Sequence, residues 1–181
     1  MVIDIVIGLA VVLAVFVAVV ATRPSRYRVE RRLEIAAPAE RVFAVLNDLR
    51  QFAGVFVLFG EPFEKINPTM QKTVEGPAAG VGQSYAWSGH KVGQGKLTIE
   101  ESVAGHKVGI KLEFVKPMAS IATSAFVVAG APTGSVVTWT MDGKHNFIGK
   151  AFGVFMNMDK MLGADLEKGL AALKTVTEGQ R

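Results

Sequence analysis

Three patterns of apolar and polar positions divide the chain. Residues 2–21 are apolar almost without a break, interrupted only by Asp4 and Gly8. Tyr27 to Ala36, and again Met70 to Asp142, alternate with a period of two, the pattern of half-buried strands. From Ile148 to Val176 the apolar positions Phe152, Phe155, Met158, Leu162, Leu166, Leu170 and Leu173 fall at steps of three and four, the period of an amphipathic helix. Asn146 stands where it can cap this helix, and Glu178-Gly179 closes it. A helix of that length spans roughly 40 Å. Its first half is rich in Phe and Met, including Met156 and Met161, and its second half is Leu and Ala.

The alternating region reads as strands at 27–36, 70–76, 82–89, 94–103, 107–116, 119–130 and 134–142. Turn signals at Gly76-Pro77, Gly89 to Gly93, Ala104-Gly105, Lys116-Pro117 and Ala131 to Gly134 separate the last six. One parity carries Val29, Leu33, Ile35, Tyr85, Trp87, Leu97, Ile99, Ile110, Leu112, Phe114, Phe126, Trp139 and Met141. The other carries mostly polar residues such as Ser84, Thr98, Lys111 and Thr138. That contrast predicts an antiparallel sheet with one wet face. Pro38-Ala39-Glu40 opens a short helix striped with Val42, Phe43, Leu46 and Leu49, and residues 50–63 read as a second short helix and a loop. The fold class is therefore α+β: a curved seven-stranded antiparallel sheet around the C-terminal helix, which is the only predicted element large enough to cover the inner face.

Composition changes this picture mainly at the N-terminus. About twenty consecutive apolar residues match the hydrocarbon thickness of a bilayer. A cleaved signal peptide ending near Val19-Val20-Ala21 is the competing reading, but no basic segment precedes the apolar stretch. The basic residues follow it instead, as Arg23, Arg26, Arg28, Arg31 and Arg32. The expected organisation is a transmembrane anchor at 1–22, a linker at 23–26 and a folded domain at 27–178. Charge asymmetry places the domain on the cytoplasmic side of the cell inner membrane as a single-pass protein. The net charge is +4, and all Lys and Arg lie after residue 22. This excess suits an anionic membrane surface and is too dispersed for nucleic acid. With no cysteine there are no disulfides, thiolate metal sites or thiol nucleophiles.

Candidate chemistry is sparse. The three histidines, His90, His106 and His145, fall in turns without metal-ligand spacing, so no metal site, cofactor or catalytic residue is assigned. If the strands alternate up and down, His90 and His145 share one end of the sheet with Tyr27 and the membrane segment, and His106 sits at the other. Lys91, Lys116, Lys144 and Lys150 join Arg23 and Arg26 at the membrane end, which is expected to face the anionic leaflet. Arg31 and Glu101 are charged residues on the apolar parity. They are candidate polar anchors for a ligand head group unless their strands leave the core or a bulge flips the parity. The glycine-rich segments 76–82 and 93–95 lack the rest of a phosphate loop and read as turns.

The order strand, two short helices, six strands, long helix resembles the helix-grip fold of START and Bet v 1-like proteins. Within that superfamily the chain is similar to SRPBCC proteins of the bacterial polyketide cyclase/dehydrase-like type. The resemblance rests on Glu64-Lys65-Ile66-Asn67-Pro68-Thr69-Met70, Gly76-Pro77 with Gly80-Val81-Gly82, Tyr85-Ala86-Trp87, Gly93-Gln94-Gly95, Lys111 to Pro117 and Val137 to Met141, and covers residues 26–176. It implies an apolar cavity between sheet and helix for a lipid, sterol or polyketide-like molecule. The inward parity would then line that cavity with Tyr85, Trp87, Leu97, Ile99, Leu112, Phe114, Phe126, Trp139 and Met141, and the helix with Phe152, Phe155 and Met156.

Three functions follow as expectations: a membrane-anchored binder of a hydrophobic small molecule, a cyclase- or dehydratase-like enzyme, and a module that docks to a membrane partner. The enzyme would need a polar dyad, for which Tyr85 with Arg31 or Glu101 is the best combination. The anchor is checked by alkaline carbonate extraction of membranes. The full-length chain is expected to stay in the pellet, and its release into the soluble fraction would rule the anchor out.

Overall fold

The computed structural model describes residues 2–58, 60–144, 147–155 and 157–179, and for Ile148, Phe152, Phe155 and Met158 the backbone alone. The first element is α1 (Val2–Thr22), long and apolar enough to cross a bilayer, with Val20 its one buried side chain among the described residues.

Seven strands form one antiparallel sheet: β1 (Arg26–Ile35), β4 (Gln71–Glu75), β5 (Ser84–Gly89), β6 (Gly93–Val103), β7 (Lys107–Lys116), β8 (Ser120–Ala131) and β9 (Gly134–Lys144). Their spatial order is β1-β9-β8-β7-β6-β5-β4. The first strand thus pairs with the last, and each later strand pairs with its sequence neighbour. The predicted strands agree with these to within about two residues. Alternation does its expected work: Val29, Ile35, Trp87, Leu97, Ile99, Ile110, Phe126, Val137 and Trp139 are all buried on one face. The register shifts between Ile99 and Glu101 where β6 meets β7, a bulge that carries Glu101 out of the apolar row.

Between β1 and β4 lie α2 (Ala39–Leu46), α3 (Leu49–Phe52), a two-residue hairpin of β2 (Val57–Leu58) and β3 (Glu61–Pro62), and α4 (Phe63–Ile66). Asp48 caps α3, its carboxylate accepting from the Arg50 amide at 3.0 Å. The fully buried Gln83 locks this corner, donating to Asp48 Oδ1 at 3.0 Å and accepting from the Leu49 amide at 2.7 Å. Burial pushes the Asp48 carboxyl upward, but hydrogen bonds from Gln83, the Arg50 amide and Gln51 outweigh it, and the net shift is downward.

Two expectations about coverage of the sheet are corrected. The single C-terminal helix is two helices, α5 (Phe147–Phe155) and α6 (Met158–Glu178). Asn157 starts the second, its side chain accepting from the Lys160 amide at 3.1 Å. An asparagine inside a helix competes with the backbone for hydrogen bonds, so it breaks the run and serves as a cap. The expected cap at Asn146 lies outside the described residues. Nor does the C-terminal helix cover the sheet alone. α6 lies chiefly along β1, and α5 lies against α1.

The centre of the sheet is covered by the segment 50–63, expected as a second short helix and a loop. Phe52 packs edge-on against Phe126 and Trp139, with ring centroids 5.5 and 6.3 Å away. Phe52 also meets Phe56, Phe56 meets Phe63, and Phe63 meets Trp87, giving one unbroken row of rings from β9 to β5. Each such pair contributes about 0.5–1.5 kcal/mol beyond area burial.

α6 reaches the sheet closely because its contact residues are small. Gly163 lies under the Arg31 guanidinium and Gly169 against the Trp139 indole, where an added Cβ would collide. Leu166, Leu170 and Leu173 complete its buried face.

Phe52→Ala is expected to cost about 3–5 kcal/mol, because it empties the junction of three ring contacts. Chemical denaturation followed by the fluorescence of Trp87 and Trp139 would measure it. A loss below about 1 kcal/mol would show that the row of rings is not what holds the segment down.

Candidate functional site

The strand ends nearest α1 bring the first residues of β1, the last of β7 and β9, and the first of β8 to one level. Tyr27 pairs with Gly143, and Gly143 pairs with Ala122. A glycine and an alanine side by side on the inner parity leave room that larger residues would fill. A Cβ at Gly143 would collide with the Tyr27 phenol. Beside this small-residue floor is a pocket of about 800 Å³, lined among others by Tyr27, Phe114, Val115, Ile121, Ala122 and Thr123. A second, of about 760 Å³, is bordered by the 88–94 turn, Lys116 and Pro117. Phe114 lines both.

Electrostatics separates the pocket from its rim. The half-buried Tyr27 phenol is pushed up from its ordinary value, first by burial and then by the negative charge of Asp142. It therefore stays neutral at physiological pH and can act as a hydrogen-bond donor. The two carboxylates that line the pocket are both paired: Asp142 with Arg28 at 3.3 Å and Glu113 with Lys111 at 2.9 Å. Arg26 and Lys144 line the same pocket, and neither forms an ion pair with a described residue. The rim is accordingly electropositive around a neutral, mostly apolar interior.

The residues expected to line a cavity separate into groups. Tyr85, Trp87, Leu97, Ile99, Leu112, Phe126, Trp139 and Met141 lie together in the core, packed with Phe52, Phe56 and Phe63. Trp87 also edges a smaller recess of about 280 Å³ with Gln71 and Lys96. Phe114 alone among the nominated residues borders the two large pockets among the described residues, its ring edge-on to Trp87 at 5.7 Å. The side chains of Phe152 and Phe155, and Met156 entirely, lie outside the described residues.

The proposed polar anchors have other partners. Arg31 does face inward, but it clamps α6 to β1. Its Nε donates to Glu167 Oε1 at 2.7 Å, and its Nη2 donates to the Asp159 backbone carbonyl at 3.2 Å and its carboxylate at 3.3 Å. Those hydrogen bonds, Asp159 first, push the guanidinium further up. Glu101 turns outward at the bulge and pairs with Lys107 at 2.8 Å. Tyr85 donates to Glu64 Oε1 at 3.3 Å, and Lys72 pairs with the same carboxylate. Tyr85, Arg31 and Glu101 thus belong to three separate networks, and the dyads considered for an enzyme do not form.

His90 lines the second pocket and His106 sits in the turn at the opposite end, while His145 lies outside the described residues. Among the described residues no group of three His, Asp or Glu is placed to hold a metal ion. Sequence reasoning missed Tyr27, Ala122 and Gly143. The available signal was Tyr27 on the apolar parity at the membrane end, across from the glycine that its strand pairing selects.

Comparison with known proteins gives one family and many folds. The family described as "Polyketide cyclase / dehydrase and lipid transport" matches residues 26–178. A search of proteins with curated functions gives no match. Among solved structures, protein CV1439 from Chromobacterium violaceum is similar at 17% identity and a TM-score of 0.58, covering 86% of this chain and 99% of its own. An uncharacterized protein from Rhizobium leguminosarum is similar at 13% identity and a TM-score of 0.59, covering 86% and 96%. The di-domain ARO/CYC StfQ from the steffimycin biosynthetic pathway is similar at 11% identity and a TM-score of 0.60. The likeness covers 86% of this chain and 52% of StfQ. At these identities the likeness is one of fold, the helix-grip of SRPBCC proteins.

Both tyrosines of the chain are held neutral by their surroundings. Tyr85 is raised by burial, then by the charge and hydrogen bond of Glu64. The sign follows: phenols whose folded pKa lies above the unfolded value stabilise the fold fully below pH 10.0, and this stabilisation is lost as the pH rises beyond it. An absorbance titration of the folded protein is expected to show no phenolate step at pH 10.0, with unfolding accompanying the eventual rise. A reversible step at or below pH 10.0 in folded protein would contradict the assignment.

Proposed function

The chain belongs to the polyketide cyclase/dehydrase and lipid transport family, and on that premise we propose that it is a membrane-anchored protein that binds a hydrophobic small molecule in the pocket at the α1 end of its sheet. The observation that carries the reading is the pocket of about 800 Å³ between Tyr27, Phe114 and Ala122, a size within the usual range for small-molecule sites. It lies at the end of the domain where a helix long and apolar enough to cross a bilayer joins it. The apolar body of a lipid- or polyketide-like ligand packs on Phe114, Ile121 and Ala122. Its polar group takes the Tyr27 hydroxyl, and Arg26 with Lys144 favours an acidic or phosphate-bearing end. The basic residues that follow α1 support a domain on the cytoplasmic side of the inner membrane.

Binding is favoured over catalysis by the same phenol. A general acid or base works best with a pKa near the operating pH, and Tyr27 is shifted away from it. A cyclase- or dehydratase-like role would have to use Tyr27 with Asp142 in spite of that shift.

Native mass spectrometry of protein extracted in mild detergent tests the reading. The parent chain is expected to carry an apolar molecule, and Ala122→Phe, which fills the floor of the pocket, is expected to lose it. Tyr27→Phe removes one hydrogen bond and should weaken retention by about fivefold, as a bond worth roughly 1 kcal/mol predicts. An unchanged bound molecule in a folded Ala122→Phe variant would place the ligand elsewhere.

A further inference from the structure

Among the described residues, most of the exposed large apolar side chains belong to α1. Outside it, those described are Val81, Val103, Val115, Met118, Ile121, Phe147 and Val176. Val81, Val103 and Val176 are on three separate segments. Val115, Met118 and Ile121 come from a single hairpin tip, the β7–β8 turn, where they are 54%, 49% and 58% exposed. Phe147, 51% exposed, opens α5, the helix that lies against α1. An apolar hairpin tip on a water-facing surface is costly, and so it points to a partner.

The tether identifies that partner. α1 ends at Thr22 and β1 begins at Arg26, so the linker spans at most about 14 Å. Tyr27, Gly143 and Ala122 pair across three adjacent strands, which places Ile121 about 10 Å sideways from the start of β1. The polar layer on one side of a bilayer is roughly 5–8 Å thick. With α1 across the membrane, even a fully extended linker leaves the start of β1, and the β7–β8 tip at the same level, within about 9 Å of the headgroups. Its charge fits that location: Lys116 belongs to the tip, Lys144 stands on the neighbouring β9 and Arg26 on β1 beyond it, none of them ion-paired with a described residue.

We infer that the β7–β8 tip is a second membrane contact, in which Val115, Met118 and Ile121 enter the anionic leaflet while Lys116, Lys144 and Arg26 meet its phosphates. The inference rests on the reading of α1 as a membrane span and goes beyond it. It makes the wall of the pocket, through Val115 and Ile121, part of the membrane surface, so that an apolar ligand exchanges with the leaflet without crossing water.

The absence of cysteine makes the test direct. Single variants Met118→Cys, Val81→Cys and Val12→Cys of the full chain are labelled with a fluorophore. They are then reconstituted into liposomes of phosphatidylcholine with or without phosphatidylglycerol. Quenching by doxyl-bearing lipid reports contact with the bilayer rather than with protein. The label at residue 118 is expected to be quenched several-fold more than the label at residue 81, and more strongly when phosphatidylglycerol is present. Lys116→Glu combined with Met118→Cys should reduce that quenching.

Equal, weak quenching at residues 118 and 81, with strong quenching at residue 12, overturns the second contact while leaving the anchor in place. Weak quenching at residue 12 overturns the anchor itself, and the inference with it. Quenching at residue 118 that ignores phosphatidylglycerol and Lys116→Glu overturns the charge-guided docking.

Discussion

Phe52 stands between Trp139 and Phe126 of the sheet on one side and Phe56 on the other, and the architecture depends on this junction. Its three ring contacts tie a four-residue helix, too short to be stable alone, to the centre of the sheet. The row continues through Phe56 and Phe63 to Trp87 and Phe114, so the inner face is filled from β9 to β5. Among the described residues these rings pack at contact distance against one another. Open volume is displaced to the end of the sheet where the row stops, and Phe114, its last ring, is the residue that borders both large pockets.

The same packing explains the division of the C-terminal region. Because the 49–66 segment already occupies the middle of the sheet, α6 is left the β1 side, where Gly163 and Gly169 permit close approach and Arg31 bonds to Asp159 and Glu167. Ion pairs with exposed carboxylates add little stability individually. Here they fix which residues of α6 face β1. The helix starts from its Asn157 cap, and α5, which precedes it, lies against α1.

Much of this was legible from periodicity. Alternation gave the seven strands and their parity, because a period of two survives wherever one face is buried and the other wet. The C-terminal helix was legible, but its break was not: Phe152, Phe155 and Met158 keep the helical spacing across Asn157, and a cap differs from an interior polar residue only by its backbone. The cover of the sheet was missed for a related reason. Residues 50–63 are largely apolar with poor periodicity, so no period distinguishes a packed cover from a loop. For Glu101 the outcome is the bulge that the sequence left open as an alternative, because parity counting cannot say where a bulge falls. At the pocket, of the aromatics expected as a lining, the described ones other than Phe114 are packed in the core. The residues that make the space are Gly143 and Ala122, and the absence of a side chain leaves no hydrophobic signal.

Small residues and paired charges together give the pocket its chemistry. Had Asp142 and Glu113 been unpaired, the pocket would repel any acidic ligand and any anionic leaflet beside it. Arg28 and Lys111 neutralise them locally, and burial keeps Tyr27 from adding a further negative charge. What remains outward is Arg26, Lys116 and Lys144, clustered where the chain emerges from α1. Attraction between this cluster and an anionic surface falls off over a Debye length of about 8 Å at physiological salt. The four-residue step from Thr22 to Arg26 keeps the cluster near that range, whereas a long linker would not. In the proposed arrangement the short linker is therefore as much a determinant of function as the pocket, since it keeps the apolar mouth beside the phase from which an apolar molecule would arrive.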